Sequence, residues 1–222
     1  MSSASSPDRV VEWVQQGLYT GRYVPGQKLV EADLIATLGV SRGPVREGLK
    51  RLDGIGIVEL TPHRGAHIRA FSRTAADHLL IVLEALTALM TRLAADAVRA
   101  GANAAQLADV QDWIDRFRRG DFSDISFMGK REHFYETLRT IGGNLELPLI
   151  MPIAQLHLLR LQSFPYLDGK DRQNILDEYL RITDAVLKGD AKAAEAAGRA
   201  HIQAARKRLA ALPREAFPVV KG

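Results

Sequence analysis

Residues 29–58 read LVEADLIATLGVSRGPVREGLKRLDGIGIV, and this stretch decides the fold. Leu34, Ile35 and Leu38 fall at helical spacing, so a short helix is predicted over about residues 31–38. Gly39 follows, and glycine accepts the left-handed backbone that a tight helix stop needs. Ser41 is a favourable N-cap, and Pro44 falls in the first turn of a second helix, where a missing N–H is harmless. That second helix runs to about residue 53 and turns Val45, Leu49 and Leu52 inward. Arg42, Arg46 and Lys50 recur every four residues, so they form one outward basic stripe. Helix, glycine turn, and second helix with arginines near its start is the pattern of a DNA-reading helix-turn-helix.

A basic stripe alone reads better as a solvated helix face. Here it shares the stretch with the turn and the cap, and a hairpin follows. Residues 57–60 and 66–68 are rich in β-formers, and Thr61-Pro62-His63-Arg64-Gly65 between them is turn chemistry with a basic tip. A winged helix-turn-helix is the expectation. Residues 25–68, PGQKLVEADLIATLGVSRGPVREGLKRLDGIGIVELTPHRGAHI, resemble the DNA-binding domain of the GntR family of bacterial transcription regulators. The resemblance covers about residues 10–69 and places the wing tip, His63, Arg64 and Gly65, near the minor groove.

The chain has 222 residues, enough for one or two domains with a sizeable core. Hydrophobic residues at 46% and charged residues at 25% give the profile of a soluble globular protein. No apolar run approaches the roughly 20 residues of a membrane span, and the N-terminus lacks the order of a signal peptide. Cysteine is absent, which excludes disulfides and thiolate chemistry and fits a reducing cytoplasm. Net charge is +4, and residues 1–72 hold nine Lys/Arg against seven Asp/Glu, so overall charge says little about nucleic acid. Residues 41–51, with four basic groups and one acid, say more.

Taken in order, residues 1–7 have the composition of a disordered start. A first helix is predicted over about residues 8–20 on Val10, Val11, Val14 and Leu18. The winged domain is expected at residues 8–71, with a linker at 71–74 and a capping box, Thr74 to Asp77, opening the next helix. Residues 74–212 then read as six antiparallel helices with short loops, a bundle. Leu79 to Ala97 give the first, stopping at Gly101. The second is capped by Asn103 and stops at Gly120. The third spans about residues 124–141 on Phe127, Phe134, Leu138 and Ile141. Pro148 and Pro152 interrupt or delay the fourth, whose stripe is Ile153, Leu156 and Leu159. The fifth and sixth cover about 170–188 and 190–212, and residues 213–222 read as a flexible tail marked by Pro213 and Pro218. The fold class is mainly α, with a small β-hairpin wing.

A winged domain followed by six or seven helices resembles the FadR-type subfamily, whose helical FCD-type domain binds effectors. C-terminal support comes from Phe134 with Leu138, Gly143-Asn144, Gly189-Asp190 and His201. In many such regulators a bundle metal, held by an Asp, a His four residues later and two further His, receives a carboxylate effector. The resemblance puts those four positions at Arg131, Tyr135, Tyr179 and His201. A guanidinium cannot ligate a cation and phenols are poor ligands, so no metal or other cofactor is expected. Relatives also place an Arg and a Glu in the first bundle helix, where this chain has Leu83 and Thr87.

Arg131 and Tyr135 share a helical face, which the resemblance turns toward Tyr179 and His201. A buried arginine needs a partner, and its fork matches a carboxylate. An anionic organic effector at Arg131, with Tyr135, Tyr179 and His201 as hydrogen-bonding neighbours, is one reading. The other has Arg131 reaching solvent or an acid such as Glu178, with both tyrosines as packing. On the DNA side Arg46 is assigned to bases, Arg42 to a base or phosphate, Lys50 to the backbone, and Ser41 to capping with a possible phosphate contact. One such helix reads only a few base pairs, which implies a homodimer on an inverted-repeat operator in double-stranded DNA. No nucleophile–base pair, phosphate loop or paired-carboxylate motif stands out, so an enzyme is not expected. An architectural DNA protein with a ligand-free bundle is the other competitor. A cytoplasmic, effector-responsive repressor is the functional expectation.

Overall fold

The computed structural model describes residues 5–107, 109–119 and 124–217. Helix α1 (Ser6–Tyr19) begins earlier than its apolar period suggests. Ser5 and Asp8 form a reciprocal capping box, the Ser5 hydroxyl accepting from the Asp8 N–H and the Asp8 carboxylate accepting from the Ser5 N–H. Residues 5–7 are therefore ordered, contrary to the composition argument, and residues 1–4 lie outside the described residues. Val10, Val14 and Leu18 turn inward, and α1 packs on the second helix of the helix-turn-helix. Gly48 permits this approach: a Cβ there would sit 2.7 Å from the Val10 Cβ.

The helix-turn-helix is α2 (Glu31–Leu38) and α3 (Arg42–Gly54). Gly39 joins them in the left-handed region, φ 62°, and its N–H bonds back to the Ile35 carbonyl. Strands β2 (Val58–Thr61) and β3 (Gly65–Ile68) form the wing hairpin, registered with Thr61 opposite Gly65. A third strand, β1 (Lys28–Leu29), pairs antiparallel with β3 and makes the order β1-β3-β2. Two residues carry no alternation, so the sequence pattern does not reveal it.

The second half is a bundle of α4 (Arg73–Arg99), α5 (Asp109–Arg118), α6 (Asp124–Gly142), α8 (Ile153–Ser163), α9 (Gly169–Leu187) and α10 (Ala191–Ala211). The prolines reduce the stretch before α8 to one turn, α7 (Leu147–Ile150). Helix α4 is capped by Ser72, which accepts from the Ala75 N–H, and not by Thr74; Asp77 instead accepts a hydrogen bond from Arg206 of α10 at 2.9 Å. By length and composition α4 could cross a membrane, with a window of mean hydropathy 1.6. Here it is the central helix, with α6, α9 and α10 packed on it and Leu80, Leu83, Met90, Ala94 and Ala95 buried. Asn103 caps a short 3-10 turn ahead of α5 and not α5 itself. Gly120, Pro218 and the side chain of Phe127 lie outside the described residues.

Residues 213–217 are not a loose tail. Ala216 and Phe217 are buried, and the Arg73 guanidinium donates to the carbonyls of Leu209, Ala210 and Leu212 while lying over the Phe217 ring. Those carbonyls are at the C-terminal end of α10, where a cation is favoured. Gln162 of α8 clamps the linker, bonding the Phe71 N–H and carbonyl and the Ala216 carbonyl, each at 2.8 Å.

Candidate functional site

The outward face of α3 carries Arg42, Arg46 and Lys50, all exposed, while Val45, Leu49 and Leu52 are buried. Ser41 occupies the N-cap position with extended backbone, but its hydroxyl makes no capping hydrogen bond and is exposed. A helix start without a side-chain cap, beside an exposed hydroxyl, has the makings of a phosphate site. Arg46 approaches Glu31 of α2 at 3.5 Å with 67% of its side chain exposed. A pair that open to water holds the arginine weakly and releases it readily. Arg51 is different: it bonds Asp8 of α1 at 2.6 Å and Glu47, so it ties α3 to α1. At the wing tip His63 adopts a positive φ of 64°, and residues 61–65 are all exposed. The Leu60 N–H bonds Asp53 at 3.1 Å, fixing the wing against the end of α3.

The second candidate site lies inside the bundle. Arg131 and Tyr135 on α6 and His201 on α10 line a cavity of about 30 Å³, together with Leu80, Leu156 and Arg160. That is room for about two waters. Arg131 is 6% exposed, and its Nε donates to the Tyr179 hydroxyl at 2.9 Å. Tyr179 itself is fully buried behind this wall, against Phe134 and His201. It braces Arg131 and does not face the cavity. The Tyr135 hydroxyl is buried with no hydrogen-bond partner among the described residues, and burial pushes the phenol up to about 12. Tyr135 also borders a neighbouring groove of about 170 Å³ lined by Glu132, Glu136, Arg139 and Ile153.

Glu178 does not pair with Arg131. Its carboxylate accepts two hydrogen bonds from Arg208, at 2.7 and 2.9 Å, and one from His201 Nδ1 at 2.7 Å. Burial opposes its ionisation, but those hydrogen bonds prevail and hold the carboxyl down at about 2. Burial lowers His201 to about 4 against the pull of Glu178, so at neutral pH the ring is neutral, with its Nδ1 proton on the Glu178 side.

The residues that the resemblance assigns to a metal do not fit one. Arg131 brings a positive charge, Tyr135 and Tyr179 are neutral phenols, and His201 is committed to Glu178. Among the described residues no three His, Asp or Glu side chains converge as a ligand set.

Sequence reasoning missed Arg160, and it offered Glu178 to Arg131 where the structure pairs it with Arg208. Glu178 and Arg208 meet only through the packing of α9 on α10. Arg160 did leave a signal, a lone cation in Leu158-Leu159-Arg160-Leu161. Its guanidinium lies 4.6 Å from the Tyr135 ring centroid. Also missed was the contact that joins the two halves. Tyr19, the last residue of α1, donates its hydroxyl to Glu132 of α6 at 2.5 Å and packs its ring, tilted, against His157 of α8 with centroids 4.3 Å apart.

Comparison with known proteins gives the geometry its family. Residues 7–68 match bacterial regulatory proteins of the gntR family, and residues 78–204 match the FCD domain. An HTH-type transcriptional regulator in an unstable DNA locus of Streptomyces ambofaciens is 29% identical over 86% of this chain and 79% of its own length. The Nta operon transcriptional regulator of Aminobacter aminovorans is 28% identical over 81% and 82%. A GntR transcriptional regulator from Rhodococcus sp. RHA1 shares the fold, with a TM-score of 0.76 at 22% identity over 95% of this chain and 100% of its own. The chain belongs to the gntR family of bacterial regulatory proteins in its FadR-type form, a DNA-binding transcriptional regulator with an effector-binding FCD domain and not an enzyme.

Proposed function

We propose that this regulator is a cytoplasmic homodimeric repressor whose affinity for an inverted-repeat operator changes when a small carboxylate-type metabolite binds in the FCD domain without a metal. The observation that carries the reading is Arg131, a guanidinium 6% exposed on the wall of an internal cavity where related proteins would place a metal-binding carboxylate. Its fork receives the carboxylate bidentately. The Tyr135 hydroxyl supplies a buried donor that lacks a partner among the described residues, Tyr179 orients the guanidinium, and His201 offers Nε2 as an acceptor. A cavity of about 30 Å³ is too small for a metabolite of several carbons, so binding moves the wall. Tyr135, between cavity and groove, is the side chain best placed to move.

Residues 8–71 read DNA and residues 74–212 sense and dimerise. Arg46 reads a base in the major groove, Arg42 a base or neighbouring phosphate, and Lys50 and Ser41 touch the backbone. His63, Arg64 and Gly65 meet the adjacent minor groove. Dimerisation is supported by the outer face of α4, where Ile81 and Val82 are 47% and 52% exposed beside half-buried Leu86 and Leu89. The test is a thermal-shift and operator-binding screen of small organic acids on wild type and Arg131→Ala. One acid should stabilise the wild type and weaken operator binding, both effects being lost in the variant. An acid response that survives in Arg131→Ala refutes the site.

A further inference from the structure

We infer that Arg160 is a second anion anchor in the same cavity, so that the effector is a small dianion and not a monocarboxylate. This rests on the reading that an anion binds at Arg131. Arg160 is 5% exposed in the middle of α8. Among the described residues its guanidinium has no carboxylate within 4 Å, and its buried Nε has no hydrogen-bond partner. The contact it does make, the face of Tyr135, is a weak return for burying a cation.

The neighbours supply no answer to this charge. The cavity wall carries three guanidiniums, Arg131, Arg160 and Arg208, of which Glu178 neutralises Arg208 bidentately. Glu178 is committed to Arg208 and His201 is neutral, so no acid among the described residues of this wall answers Arg160. Arg160 also works against the protonation of Arg131, after burial itself. Glu132, the acid that feels Arg160, forms no ion pair with it; it accepts the Tyr19 hydroxyl, and burial pushes its carboxyl up toward the neutral form. The rest of the cavity wall is largely apolar, with Leu80, Leu156, Leu159 and Ile175. Two positive groups on an otherwise aliphatic cavity fit a short skeleton bearing two negative charges, or one compact doubly charged group.

The experiment titrates the full-length protein with straight-chain dicarboxylates, monocarboxylates of the same carbon number, and inorganic phosphate, at matched ionic strength, by calorimetry and thermal shift. Wild type, Arg160→Met, Arg160→Lys and Arg131→Met are compared. Expected is a preference of wild type for a dianion over the matched monoanion of at least about tenfold, the scale of one charged hydrogen-bonded pair. Arg160→Met should erase that preference, leaving monoanion affinity within about twofold, and Arg160→Lys should recover part of it. Phosphate binding that needs both arginines identifies the compact form; a dicarboxylate that needs both identifies the extended one. Equal binding of matched mono- and diacids by wild type overturns the inference without any variant having to fold. So does a dianion preference that survives Arg160→Met. If wild type shows no dianion preference but loses monoacid binding in Arg131→Met, the Arg131 site stands without the second anchor, whereas no binding by any member sinks both.

Discussion

Replacing His157 with Phe should flatten the acid sensitivity of this protein. The imidazole is 2% exposed, tilted against the Tyr19 ring with centroids 4.3 Å apart, and neither nitrogen has a hydrogen-bond partner among the described residues. Burial lowers it from 6.5 to about 4, helped by the nearby charge of Arg160; the Leu18 carbonyl opposes the shift, and Arg131 adds to it. His201 is lowered similarly, by burial first and then by the same two arginines. Both shifts have the same sign. Between pH 6.5 and 4 the unfolded chain binds a proton at each histidine that the folded chain refuses, so stability falls as pH falls through that window. At about 1.4 kcal/mol per unit, each histidine should remove roughly 2 kcal/mol between pH 7 and pH 5. Glu178, held at about 2, stays ionised in both states over most of that range and adds little, while Glu132, raised by burial, opposes the trend near its lower end. Phe keeps the ring on Tyr19 and strands no polar atom. Urea unfolding at fixed protein concentration should therefore show wild type losing about 4 kcal/mol from pH 7 to pH 5 and His157→Phe losing about half of that. Equal losses in the two proteins would refute the assignment.

Arg46→Ala should leave the melting temperature unchanged, since the side chain is 67% exposed, but should weaken operator binding by about 1–3 kcal/mol and relax preference at one position of each half-site; unaltered specificity in a binding-site selection sinks the role. Val82→Asp, on the exposed face of α4, should turn a dimer into a monomer in sedimentation and lengthen the salt-dependent search for operator into weak single-site binding; a dimer that persists puts the interface elsewhere. Tyr19→Phe removes the hydrogen bond to Glu132 while keeping the ring packed against His157. It should change how strongly effector alters operator affinity by about 1 kcal/mol, with effector affinity in the absence of DNA little changed. Identical coupling in Tyr19→Phe would mean that this contact carries no signal.

The winged half was legible because its punctuation is local. Gly39 and Pro44 dictate the turn within a few residues, and the buried Val45, Leu49 and Leu52 follow from period alone. Where several residues could cap one helix start, local rules chose wrongly. Thr74 and Asp77 imitate a capping box, but Ser72 caps α4, because Arg206, more than a hundred residues away, takes Asp77. The same limit governs the cavity. Spacing put Arg131 and Tyr135 on one face, and the structure brings His201 to the same wall, yet Tyr179 lies behind it. Glu178 with Arg208, and Tyr19 with Glu132, are meetings of distant elements that no window of sequence contains. Arg160 was visible as a cation in an apolar run, the kind of local conflict that marks a functional position.

The same two helices carry the cavity and the contact with the DNA-reading half, and this restricts how a ligand could act. On α6 Arg131 faces the cavity while its neighbour Glu132 accepts the Tyr19 hydroxyl. On α8 Arg160 lines the cavity one turn beyond His157, which packs against Tyr19. Tyr19 ends α1, and α1 packs on α3, whose outer face carries Arg42 and Arg46. Packed helices shift as bodies and do not deform smoothly, so drawing Arg131 and Arg160 onto one ligand must also alter the seat of Tyr19. A ligand that merely filled space equally well in two arrangements would change nothing at the operator. One that neutralises two like charges favours whichever arrangement brings them together. Under the proposed reading, differential affinity then arises from charges fixed in the chain.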